Sequence, residues 1–169
     1  CLRGDATIQN SSTDGGSYGF YHYARRRDGK LAKTKIVKSD IRNAKAYGVY
    51  SYWAARLDVV DSNLEGNNYG LVTYGDWTSE PLESIQLVNT EIQNNNRGIH
   101  SIYNQLILDS CDNIKGNKSV AVYSAYGDET LKNMTGIQDN GYNLYLIGYS
   151  DREAARNEFA DLDFSRARY

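Results

Sequence analysis

The stretch Ile85-Gln-Leu-Val-Asn-Thr-Glu-Ile92-Gln-Asn-Asn-Asn-Arg-Gly-Ile99-His-Ser-Ile-Tyr-Asn-Gln-Leu106 decides how the chain is read. Ile85, Ile92, Ile99 and Leu106 recur every seven residues, and Val88, Ile102 and Tyr103 widen the stripe. An apolar stripe of that spacing is the mark of a helix with one buried face. Thr78 or Ser79 can cap its start, and Pro81 falls in the first turn, where a missing N–H costs nothing. Asn94, Asn95, Asn96 and Gly98 argue for a break, yet the apolar phase runs through them unchanged. The spacing therefore predicts one long helix, or two stacked helices, over residues 80–113.

The flanking segments read as strands. Residues 17–27 and Lys30 to Lys38 are separated by Asp28-Gly29, the strongest short hairpin signal. A hairpin there would set Arg27 opposite Lys30 and His22 opposite Lys35. Ala46 to Val60 reads as one long strand. Tyr18-Gly-Phe-Tyr-His-Tyr23, Tyr47-Gly-Val-Tyr-Ser-Tyr52 and Tyr69-Gly-Leu-Val-Thr-Tyr74 share a pattern. Their unequal spacing speaks against a solenoid and for neighbouring strands that pair tyrosines across one sheet. Ser119 to Tyr126 and Tyr142 to Tyr149 read as further strands, with a helical turn in Asp128 to Ile137. Ser150-Asp-Arg-Glu153 is a capping box that opens a short helix, on which Glu153 and Arg156 form an i,i+3 pair. Leu162 to Tyr169 reads as a last strand. The sum is a single α+β domain over residues 1–169. A mostly antiparallel, tyrosine-rich sheet is covered on one face by the long helix (or two stacked helices), with a short C-terminal helix beside it.

Composition sets the class. The chain has 169 residues, 40% apolar and 24% charged, a globular balance rather than a disordered one. It has no run of 18 apolar residues that could cross a membrane as a helix. It opens on Cys1 rather than Met, which reads as a mature chain, secreted or held at the extracellular surface. Cys1 and Cys111 are the two cysteines, and in an oxidising compartment they would form one disulfide. Lipid attachment at Cys1 is the competing reading.

Charge placement is the clearest non-random feature. Residues 25–45 hold nine basic and two acidic residues, a local charge of +7 in a chain whose net charge is -2. A basic hairpin on an acidic body favours an anionic partner or self-association. Fifteen tyrosines offer contact area at low entropy cost. Arg25, Arg26, Arg27, Lys30, Lys33 and Lys35, with Tyr21, Tyr23, Tyr50 and Tyr52, are the candidate binding residues. The expected function is binding without catalysis, to another macromolecule (nucleic acid among the candidates) or to a copy of the chain. The alternative is a small extracellular ribonuclease, with His22 and His100 as acid and base and Lys35 or Arg26 holding phosphate. No nucleophile motif, metal-ligand spacing or cofactor motif is present, so neither metal nor cofactor is expected.

Overall fold

Among the described residues, eighteen short strands wind through six successive coils, three strands to a coil. A computed structural model describes residues 5–23, 32–53, 56–76, 83–134 and 136–148. The first coil is β1 (Ala6–Gln9), β2 (Ser12–Asp14) and β3 (Tyr18–Tyr23), and the second is β4 (Lys33–Val37), β5 (Asp40–Arg42) and β6 (Tyr47–Tyr52). The third is β7 (Arg56–Val60), β8 (Asn63–Glu65) and β9 (Tyr69–Tyr74), and the fourth is β10 (Glu83–Val88), β11 (Glu91–Gln93) and β12 (Arg97–Ile102). The fifth is β13 (Asn104–Asp109), β14 (Ile114–Lys115) and β15 (Val120–Ala125), and the sixth is β16 (Asp128–Lys132), β17 (Ile137–Gln138) and β18 (Tyr142–Ile147). Each strand pairs in parallel with its counterpart one coil away, giving three six-stranded sheets. Sheet one runs from β1 to β16, sheet two from β2 to β17 and sheet three from β3 to β18. The described chain is a three-sided parallel β-helix, in which each coil packs only on its neighbours.

This corrects the expected α+β fold. No helix occurs among the described residues, and every strand pair among them is parallel. The seven-residue stripe has a different cause. Ile85 lies in sheet one, Ile92 in sheet two, Ile99 in sheet three and Leu106 back in sheet one, in register with Ile85. Each side of the coil takes about seven residues, so one inward residue per side reproduces a helical spacing. All four are fully buried on the coil axis. Each is worth roughly 1.5–3 kcal/mol of burial.

The hairpin is also corrected. β3 pairs with β6, while β4 pairs with β1 and β7, so the segments on either side of Asp28-Gly29 belong to different sheets. Residues 24–31 lie outside the described residues. The long strand over Ala46 to Val60 is two strands, β6 and β7, in sheets three and one. Asp128 to Ile137 holds β16 and the start of β17 rather than a helical turn. The C-terminal helix and last strand lie outside the described residues. The unequal spacing that spoke against a solenoid arises at the third corner. Between β3 and β4 the chain spends residues 24–32, and between β12 and β13 only Tyr103. The strands stay in register while the corners vary in length.

Two inward ladders hold the corners. At the first corner a residue with positive φ (Asn10, Lys38, Asp61, Asn89, Ser110, Asn133) turns each coil. The next position holds Ser11, Ser39, Ser62, Thr90, Cys111 or Met134 in turn. The Ser39, Ser62, Thr90 and Cys111 side chains each donate to the carbonyl two residues back. The expected Cys1–Cys111 disulfide is therefore corrected: Cys111 is a free thiol, wholly buried, hydrogen-bonded to the Leu87 and Asp109 carbonyls. Burial pushes that thiol up to about 11. Cys1 lies outside the described residues.

At the second corner Asn67, Asn95, Asn117 and Asn140 stack inside the coil. The Oδ1 of Asn95 accepts from the backbone N–H and the Nδ2 of Asn67, at 2.8 and 3.1 Å. The Nδ2 of Asn95 donates to the Leu64 carbonyl at 2.9 Å and to Asn117 Oδ1 at 3.0 Å. Asn117 and Asn140 repeat the arrangement. A buried donor left unpaired costs about 1–3 kcal/mol. Asn95→Ala is expected to lower the unfolding free energy by about 2–5 kcal/mol in chemical denaturation. Its exposed neighbour, Asn96→Ala, should cost less than about 1 kcal/mol.

Candidate functional site

The outer face of sheet three is the most distinctive surface of the described residues. Side chains alternate along the last four residues of each strand, and the residue before the glycine joins the same outer side, with the Tyr18 and Tyr21 rings 5.3 Å apart, so each strand of this sheet sends three residues outward in register. One row is Tyr18, Tyr47, Tyr69, Arg97, Val120 and Tyr142. The middle row is Tyr21, Tyr50, Val72, His100, Tyr123 and Tyr145. The third is Tyr23, Tyr52, Tyr74, Ile102, Ala125 and Ile147. The recurrent Tyr-Gly pair has a structural reason. A Cβ on Gly48 would come within 2.7 Å of the Gly70 carbonyl and 2.9 Å of Asn67 Nδ2. The glycine makes room for the asparagine ladder, and the tyrosine before it stands outside.

The rings form one connected array. Tyr21 stacks on Tyr50 (centroids 5.2 Å, 11°) and Tyr23 on Tyr52 (5.8 Å, 14°). His100 stacks on Tyr123 (4.4 Å, 5°), and Tyr123 on Tyr145 (5.5 Å, 14°). Tyr47 joins Tyr18, Tyr50 and Tyr69. Val72 faces outward yet is only 1% exposed, with Tyr50 and His100 as its cross-strand neighbours. Tyr18 and Trp53 are the exposed large apolar residues, at 45% and 40%.

The face is nearly uncharged. Arg97 is the one formally charged residue in the three rows. Its guanidinium lies 5.1 Å from the Tyr69 ring centre and donates to the Tyr69 hydroxyl at 2.8 Å. Burial, and then the Arg97 charge, hold the His100 imidazole down at about 4. Burial, and then the neighbouring Tyr21 ring, push the Tyr50 phenol up to about 12. Both groups are therefore neutral at pH 7.

The sequence-predicted residues separate. Tyr21, Tyr23, Tyr50 and Tyr52 come together on this face. Lys33 and Lys35 do not; they stand exposed on the outer side of sheet one, where Lys35 is in register with Thr7 and Asp58. Arg25, Arg26, Arg27 and Lys30 lie outside the described residues. His22 points into the coil, 2% exposed, within 3.3 Å of Ser51 Oγ and 3.1 Å of Thr34 Oγ1. His22 and His100 thus occupy opposite faces of sheet three, and Lys35 belongs to another sheet. Among the described residues no group of three or more His, Cys, Asp or Glu is placed to hold a metal. No helix among them is long and apolar enough to cross a membrane.

Sequence reasoning singled out four of the tyrosines, took His100 only as a candidate catalytic group, and missed Tyr18, Tyr47, Tyr69, Tyr74, Tyr123, Tyr142 and Tyr145 as surface residues of one face. A signal was present. Arg97-Gly-Ile-His-Ser-Ile102 repeats the Tyr69-Gly-Leu-Val-Thr-Tyr74 pattern position by position. Compared with protein-family models, curated proteins and solved structures, the chain matches none.

The depressed His100 value fixes the sign of a pH effect. The unfolded chain takes up this proton near pH 6.5, and the folded chain only near 4. The stability tied to a neutral His100 is whole above pH 6.5 and is lost as pH falls toward 4. His100→Gln should flatten the decline in unfolding free energy over that window. In the wild type, the His100 ring signals should not titrate above about pH 5 by NMR.

Proposed function

We propose that this is a non-enzymatic binding protein of the extracellular space whose working surface is the tyrosine face of sheet three. The single observation that carries the reading is the ring array from Tyr18 to Tyr145 on one side of the coil. The inner rows of the same sheet, Phe20 to Leu144 and His22 to Ser124, face the interior of the coil, so the rings stand outside that core. Contiguous aromatic surface mantled in hydroxyls marks contact with another macromolecule. Tyrosines locked by stacking present that surface with little rotamer entropy left to lose. A ribonuclease would need two imidazoles and a cation around one phosphate. His22, His100 and Lys35 lie on three different surfaces, so the geometry favours binding.

The test compares two double variants, Tyr50→Ser/Tyr52→Ser and Lys33→Glu/Lys35→Glu. Association is measured with single-stranded oligo-dT, with neutral and acidic polysaccharides, and with the protein itself. At least one association should weaken tenfold or more in the tyrosine variant and stay unchanged in the lysine variant. Associations that ignore the tyrosines, or that follow the lysines alone, would overturn the proposal.

A further inference from the structure

We infer that the tyrosine face is built to pack against the same face of a second copy, with the two coil axes antiparallel. The inference rests on the binding reading above and names its partner. The face has the right size. Six strands at ~4.8 Å and six residues at ~3.3 Å give a flat area of about 29 by 20 Å. With its side-chain relief, that approaches the ~800 Å² per partner of a stable interface.

The relief is self-complementary. In the rows of Tyr18 and Tyr23, the first three coils carry tyrosine at every outward position. The last three carry smaller or aliphatic residues at most of them. A two-fold axis along the strand direction, between β9 and β12, lays each row over itself with the coils reversed. Tyr74 then meets Ile102 of the copy, large over small, Tyr52 and Tyr47 lie over Ala125 and Val120, which are 1% and 7% exposed, and Tyr50 meets Tyr123 and Tyr21 meets Tyr145 ring to ring. Tyr69 meets Arg97, repeating between molecules the guanidinium–ring contact found within one. An isologous arrangement makes each such contact twice. Pitch also matches without adjustment, because both faces are wound on the same coil spacing. A second copy satisfies the near-neutral character of the surface. A nucleic acid does not, since its affinity comes chiefly from phosphate neutralised by Lys and Arg, and the three rows hold Arg97 alone.

Sedimentation equilibrium of the wild type should show a dimer that persists in high salt. Tyr52→Arg should weaken it tenfold or more, with the circular dichroism spectrum of the folded chain unchanged. Orientation is tested in a Cys1→Ser background. Tyr23→Cys mixed with Ile147→Cys should cross-link on mild oxidation, and Tyr23→Cys alone should not. A wild type that stays monomeric, or a Tyr23→Cys variant that cross-links to itself as readily as the mixture, would overturn the antiparallel dimer. A monomer that binds a foreign macromolecule through Tyr50 and Tyr52 would keep the proposed function and discard this inference alone.

Discussion

The buried asparagine ladder is the constraint on which the rest of the molecule depends. At the second corner the backbone must turn inside a region closed to water, which leaves N–H and C=O groups without strand partners. Asn67, Asn95, Asn117 and Asn140 answer that need for the backbone of the coil before, and the amides of Asn67, Asn95 and Asn117 each donate to the asparagine of the coil after. One amide group thereby fixes both the turn and the vertical register. Ala44 occupies the ladder position in the second coil, where its N–H still donates to Asn67 Oδ1. The αL residues before the ladder, from Gly15 through Asn43, Gly66, Asn94 and Gly116 to Asp139, complete the turn. Asn and Gly are the residues that accept this backbone most readily.

Register at the corner propagates to the faces. Once Asn67 sits under Asn95, Tyr69 must sit beside Arg97 and Val72 beside His100, because strands admit no half steps. The tyrosine array is thus a consequence of the ladder as much as of tyrosine itself. The same register runs a polar seam down the inside of the third corner. Thr73 donates to Ser101, and Asn104 Nδ2 donates to Thr73 and to the Ile102 carbonyl. His22 sits at one end of that seam. Glu129 sits at the other, 6% exposed, its carboxyl held above the usual range by burial. The outer face is apolar and aromatic, while the inner corner behind it is hydrogen-bonded.

Much of this was legible along the chain. The strands at Tyr69 to Tyr74 and Tyr142 to Ile147, the tyrosine pairing across one sheet, and the grouping of Tyr21, Tyr23, Tyr50 and Tyr52 follow from alternation and β-propensity alone. The x-Gly pairs at 18, 47, 69 and 97, and the Gly-Asn or Asn-Asn pairs at 66, 94 and 116, mark the coil repeat. Ile85, Ile92, Ile99 and Leu106 misled because a helix and a three-sided coil can place apolar residues at the same interval. A helix does so by turning about its own axis, and the coil by turning about a shared one. Strands of two to six residues are too short for their own period to decide between the two.

The sequence by itself determined where aromatic residues recur and which apolar residues repeat at a seven-residue interval, since those are properties of composition and spacing. It also placed positive charge at residues 25–45 and tyrosine before glycine. Only the tertiary structure decided what stands beside what. Lys33 and Lys35 went to one sheet and the tyrosines to another, His22 to the inside and His100 to the outside, and Cys111 into the first-corner ladder. The reason is that every strand pairing here joins residues more than twenty positions apart, through backbone groups that all residues share. Nothing local encodes such a partner. It is selected by the closing of one coil upon the next.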